Sequence, residues 1–143
     1  MMIDPIEMWH RRARPEPTAA KFNVQLGCHF EEIAEMMDSM MCSDQPEWLQ
    51  LKRDITLMAN RLKSGAVTTE VLFRKDFLDS IADQIVTGVG TGYCAGMQVT
   101  EAVRRVNTSN WSKYDTDGNP IFSPQGKIMK GPDYKEPDLE GLY

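Results

Sequence analysis

His29-Phe30-Glu31-Glu32-Ile33-Ala34-Glu35-Met36 sets three carboxylates inside an apolar helical pattern. In a helix Glu32 and Glu35 are i,i+3 neighbours, roughly 5–6 Å apart at Cβ, with Glu31 one step round the same side. Like charges that close repel, so the stretch needs a counter-ion, a proton or open solvent. A second acidic pair, Asp79 and Asp83, stands i,i+4 inside Phe77-Leu78-Asp79-Ser80-Ile81-Ala82-Asp83-Gln84-Ile85-Val86. Two acidic pairs on two apolar helices point to a shared cation, and all-oxygen ligands favour a hard divalent ion, Mg²⁺ or Mn²⁺. The competing reading is a solvated polar face on each helix.

Outward from that stretch, Thr18 reads as an N-cap, and Phe22, Leu26, Phe30, Ile33, Met37 and Met40 keep a helical period to about Cys42. Gln25 and Cys28 precede Glu32 on its own face, which makes Gln25 a candidate to hydrogen-bond a ligand. Residues 1–17 form an arm or short first helix, because Pro15 and Pro17 end any longer one. Its arginines, Arg11, Arg12 and Arg14, are read chiefly as partners for acidic surface, with substrate phosphates as the competing use.

Downstream, Ser43-Asp44-Gln45-Pro46 breaks the chain and starts a helix to Lys63, stopped by Gly65. A third helix is expected from Thr68 or Thr69 to Tyr93, and its Gly88, Gly90 and Gly92, with Gly96 beyond, suit a close helix approach or a kink. A phosphate loop is excluded there, since no strand precedes the glycines and no GK[ST] follows. A fourth helix covers about 97–106 and frays through Asn107–Tyr114. Pro120-Ile121-Phe122 and Lys127-Ile128-Met129 flank Ser123-Pro124-Gln125-Gly126 as a small β-hairpin, followed by an extended tail. The expected fold is all-α, a four-to-five-helix bundle with that hairpin, divided as an arm (1–17), one domain (18–139) and a tail (140–143).

Composition narrows the classes. A net charge of −5 argues against binding a nucleic-acid backbone. Cys28, Cys42 and Cys94 are odd in number and lack CxxC spacing, so neither disulfides nor zinc are indicated. No apolar run spans a membrane, and the first residues carry no signal pattern, so a reducing cytoplasm is expected, the host's if the chain is viral. Ten methionines, several within 36–41, suit an adaptable contact surface, and an exposed apolar stripe is normally paired in a symmetric oligomer.

The residues resemble the MazG-like all-α nucleoside triphosphate pyrophosphohydrolases over about 18–139, a family related to the phosphoribosyl-ATP pyrophosphohydrolases. Glu31-Glu32-x-x-Glu35 matches the family's EExxE. Asp79-x-x-x-Asp83 matches its later acidic pair, although the commonest form is ExxD and Ser80 stands where its first acid would fall. That spacing resembles the small phage-type members, as do Asn110-x-Ser112-Lys113, Asp117-Gly118, Gly126-Lys127-x-x-Lys130-Gly131-Pro132 and Pro137-Asp138-Leu139.

The resemblance implies hydrolysis between the α and β phosphates, giving a nucleoside monophosphate and pyrophosphate. Glu32, Glu35, Asp79 and Asp83 would hold Mg²⁺, and Glu31 or Glu32 would orient or deprotonate the water. Asn110, Lys113, Lys127 and Lys130 would bind phosphate or sugar, while Asn23-x-Gln25 and the arm resemble a subgroup acting on purine deoxynucleotides, dGTP or dATP. The alternatives are a phosphoribosyl-ATP pyrophosphohydrolase and a non-catalytic nucleotide sensor.

Overall fold

The computed structural model describes residues 3–143 and is all-α, with five helices: α1 (Asp4–Ala13), α2 (Ala19–Asp38), α3 (Gln45–Ser64), α4 (Arg74–Cys94) and α5 (Val99–Trp111). Met1 and Met2 of the N-terminal arm lie outside the described residues. The chain divides into two compact units. One comprises Met1–Pro15, Val71–Ile121 and Ile128–Tyr143; the other comprises Glu16–Glu70 and Phe122–Lys127.

The second unit is an α2/α3 hairpin. Thr18 Oγ1 accepts the Lys21 amide at 3.3 Å and Asp44 Oδ1 accepts that of Glu47 at 3.2 Å, so both helices start on side-chain caps. Gly65, at φ +77°, ends α3. The helices meet through Ala34, Met37, Ala59 and Leu62, all buried, and Trp48 Nε1 donates to Met37 O at 3.1 Å. Gly27 makes the close approach possible: a Cβ there would stand 2.7 Å from Lys63 Cγ and 2.8 Å from Ala59 O.

The third sequence-predicted helix begins later than Thr68 or Thr69, and Asn23 ties down the segment before it. Buried at 3% exposure, its Oδ1 accepts from Thr69 N at 2.7 Å and Thr69 Oγ1 at 2.8 Å. Its Nδ2 donates to Ala19 O at 2.8 Å and to Thr69 O at 3.4 Å. These bonds tie Thr69 to the first turn of α2 in a non-helical segment, and α4 starts at Arg74.

In the first unit Trp9, Ala13, Tyr114 and Ile128 form the buried cluster. Trp9 and Tyr114 stack at 5.6 Å and 7°, Tyr114 Oη donates to Trp9 O at 2.6 Å, and Trp9 Nε1 donates to Asn110 O at 2.9 Å. Burial pushes the Tyr114 hydroxyl up to about 12, against the opposing charges of Arg14 and Arg12. Gly92 meets α5 so closely that a Cβ would lie 2.2 Å from Val99 Cγ2, and Gly96, at φ +82°, forms the turn between α4 and α5. Gly88 and Gly90 face open space. The tail is tied in: Gln98 N donates to Leu142 O at 2.8 Å, and Leu142 is buried.

Two further expectations are corrected. The fourth helix does not fray at Asn107 but runs on to Trp111, where Ser109 Oγ donates to Lys135 O at 2.6 Å and Ser112 Oγ accepts from Lys135 N at 2.9 Å. The β-hairpin does not form as strands. Ser123 N donates to Lys127 O at 2.8 Å and Met129 N to Ile121 O at 2.7 Å, and no regular strand develops among the described residues. Pro120, Pro124 and Pro132 lack ladder donors, and Gly131 is pressed against Lys113 O, which a Cβ would approach to 2.5 Å.

Asn23→Ala is expected to destabilise the protein by about 2 kcal/mol in urea unfolding, because the buried Asn23 amide no longer makes its hydrogen bonds to Thr69 and Ala19. A loss below about 0.5 kcal/mol would reject the role given to Asn23.

Candidate functional site

Glu31 is the centre of the best-defined polar cluster. Its Oε1 accepts from Lys63 Nζ at 2.7 Å and its Oε2 from Lys127 Nζ at 2.7 Å. The three residues come from α2, the end of α3 and the 122–127 loop, all in the second unit. Side-chain exposure falls from Lys127 (46%) through Glu31 (26%) to Lys63 (15%), so the Lys63 half is the better shielded from water. Gly27 lies one turn before Glu31 and admits the Lys63 stem across α2.

The loop is pre-shaped to deliver Lys127. Gly126, at φ +88°, turns the chain, its amide donates to Ser123 O at 2.9 Å, and Lys127 N donates to Ser123 Oγ at 3.1 Å. Burial disfavours the Glu31 carboxylate, but the hydrogen bonds and charges of Lys127 and Lys63 outweigh it and hold its pKa below the ordinary 4.5. The Glu31 hydrogen bond raises Lys127 above its ordinary value, against desolvation, and the charges of Glu31, Cys28 and Glu35 add to it. Lys127 therefore senses the Cys28–Glu31–Glu35 stripe of α2.

The other expected site residues are placed as follows. Glu32 and Glu35 are exposed on α2 and Gln25 is half-buried there; Asp79 and Asp83 are exposed on α4, in the other unit. Lys113 Nζ lies 5.9 Å from the Trp9 ring centroid and Lys130 Nζ 4.5 Å from that of Tyr134. Asn110 offers its carbonyl to Trp9. The Asn110-x-Ser112-Lys113 and Gly131-Pro132 matches thus have structural work in the first unit, gripping Trp9, Lys135 and the 113–114 backbone.

Among the described residues no group of three or more His, Cys, Asp or Glu side chains is arranged to hold a metal ion. The donor chemistry still suits Mg²⁺, which is commonly held by one or two carboxylates with waters and substrate phosphates completing the shell. Each acidic pair supplies two carboxylates. Sequence reasoning missed Lys63; the signal for it was Gly27, a residue without a side chain one turn from Glu31 on the face that α3 covers. No protein-family model matches the chain, and comparison with curated proteins and with solved structures yields no match.

The ionic cluster sets a pH dependence. A carboxylate whose folded pKa is lowered contributes stability that is fully present above 4.5 and is lost as pH falls through the folded value. In urea unfolding, the gap between wild type and Glu31→Gln is expected to be largest near neutral pH and to close on acidification below 4.5. A gap that stays constant from about pH 7 to about pH 3 would reject the cluster's contribution.

Proposed function

We propose that the protein is a Mg²⁺-dependent nucleoside triphosphate pyrophosphohydrolase of MazG-like type, acting on purine deoxynucleoside triphosphates, dGTP or dATP. The observation that carries the reading is the Lys127–Glu31 pair. It lays a lysine from the loop, 96 residues away in sequence, on the acidic stripe of α2, so cations and carboxylates meet as polyphosphate chemistry requires. The sequence resemblance supports the same reading through EExxE, the Asp79/Asp83 pair and the C-terminal motifs.

Glu32, Glu35, Asp79 and Asp83 would hold Mg²⁺, with Mn²⁺ as a substitute. When bound, the ion neutralises phosphate charge and lowers the pKa of the attacking water. Lys127 then aligns the phosphate chain, and Glu31 fixes Lys127 and Lys63. With both oxygens engaged, Glu31 acts as a base only after those lysines move onto substrate; Glu32 is the neighbouring carboxylate for the same proton. The water oxygen bonds to the α-phosphorus, the bridge to the β-phosphate breaks, and pyrophosphate leaves.

A second copy of the chain fits this reading. In its own unit α4 packs on α5, yet none of its 21 residues is buried. Leu78, Val86 and Tyr93 are 69%, 68% and 77% exposed, and Phe77, Ile85 and Val89 are each above a third exposed. Aromatic side chains alone bring about 150–250 Å² each, and a stable dimer covers roughly 800 Å² per partner. We infer that α4 is covered in a homodimer or homotetramer.

The reaction run in ¹⁸O-water is expected to label the monophosphate, and Glu32→Gln or Asp83→Asn is expected to abolish turnover with the far-UV CD spectrum unchanged. Label confined to pyrophosphate, or near-wild-type turnover in either variant, would reject the mechanism. Light scattering at micromolar concentration should give a multiple of 16.3 kDa. A monomer mass would reject the covered α4.

A further inference from the structure

A cavity of about 850 Å³ opens in the second unit between the first turns of α2, the end of α3 and the 122–127 loop. Its size is that of a small-molecule pocket. Ala20, Val24 and Leu62 give it an apolar wall, and Thr68, Glu70 and Gln125 add polar groups. Asn23 also faces it, but its amide is engaged by Thr69 and Ala19, which makes it a rigid wall rather than a ligand.

Two separate segments join this cavity to the Glu31 cluster. Lys63 lines the cavity and places its ammonium on Glu31 Oε1. Pro124 and Gln125 line it from the loop, and Lys127, next along that loop after Gly126, is on Glu31 Oε2. A pocket with apolar walls and a hydrogen-bonding edge, lined by Lys63 and by the loop residues just before Lys127, has the chemistry of a flat, uncharged heterocycle joined to a polyanion.

We propose that this cavity takes the base and sugar of the nucleotide, and that Lys63, together with Lys127, receives the phosphates where they leave it. The assignment rests on the pyrophosphohydrolase reading and gives that reading a binding residue, Lys63, and a pocket. Glu31 is the positioning residue: it holds both ammonium groups until phosphate oxygens replace its own. The lysine stems are already directed by Gly27 and by the Ser123–Gly126 turn, so binding exchanges one set of anionic partners for another with little reordering.

Titration calorimetry with two probes separates the pocket from the lysines. These are the α,β-methylene analogue of dGTP, which resists cleavage at that bond, and inorganic tripolyphosphate, which has no base. Ala20→Phe, which fills the cavity from its wall, should weaken the analogue at least tenfold and leave tripolyphosphate unchanged; Ala20→Met is the milder filling if the larger side chain perturbs the CD spectrum. Lys63→Met should weaken both probes by a similar factor, with Lys63→Arg restoring most of the loss. Analogue affinity unchanged in the filled variants, equal losses of both probes there, or tripolyphosphate unaffected by Lys63→Met would each overturn the proposal. Absence of triphosphate turnover in the wild type would instead overturn the pyrophosphohydrolase reading, and the two probes would still decide whether the cavity binds a nucleotide.

Discussion

A carboxylate held by two ammonium groups is the constraint on which the second unit's chemistry depends. Glu31 sits on a helix whose neighbouring positions 32 and 35 are also acidic, and without cations that stripe would repel itself. Lys63 and Lys127 supply them, one on each carboxylate oxygen of Glu31. The two halves differ in weight. An ion pair open to water contributes about 0–1 kcal/mol, and a shielded one costs more to break than it contributes when whole. Lys63, 15% exposed, is the fixed half; Lys127, 46% exposed, is the half that can leave. A loop lysine that departs at small cost while its carboxylate stays anchored is suited to pass from a protein partner to a phosphate.

Small residues set where that cluster sits. Gly27 removes the side chain that would strike Lys63 and the Ala59 carbonyl, Gly92 does the same against Val99, and Gly131 lies on the Lys113 carbonyl. At each position the obstruction to a Cβ is within 3 Å of packed atoms, and at Gly27 and Gly131 it includes backbone that cannot rotate away. The glycines therefore fix distances between packed segments, from the short α4–α5 turn to α2 against α3. At Gly27 this brings α3 near enough for Lys63 to reach Glu31.

What was legible in the sequence was whatever short range decides. Thr18, Asp44, Pro46 and Gly65 bound α2 and α3 through caps and turn geometry that involve residues within one helical turn. What failed was decided at long range. The segment before α4 is tied down by Asn23, 46 residues before Thr69, and the last turn of α5 is held by Lys135, 23 residues beyond Ser112. The hairpin pattern was real only as far as two backbone hydrogen bonds, because the flanking prolines give it nothing further to pair. At the site, Glu31 and Lys127 were both identifiable as chemistry-bearing residues. Their pairing, and the part of Lys63, depend on how α2 meets α3, which spacing along either helix does not encode.

The apolar content of α4 carries the reasoning past one chain. Its sequence reads as a core helix, with Phe77, Ile81, Ile85 and Val89 at helical spacing and Leu78, Val86 and Tyr93 beside them, yet it has no buried residue. A helix apolar on more than one face is stable in water only when something covers it. Asp79 and Asp83 interrupt that surface, so whatever covers α4 also brings its atoms close to those carboxylates. In the proposed assembly a second copy would cover α4, and its exposed methionines, Met36, Met40 and Met41, would offer adaptable apolar contact. Carboxylates gathered there would need a cation between them, because acids beside acids repel. Under the proposed function, one helix would supply both the apolar surface for association and two of the carboxylates for a divalent ion.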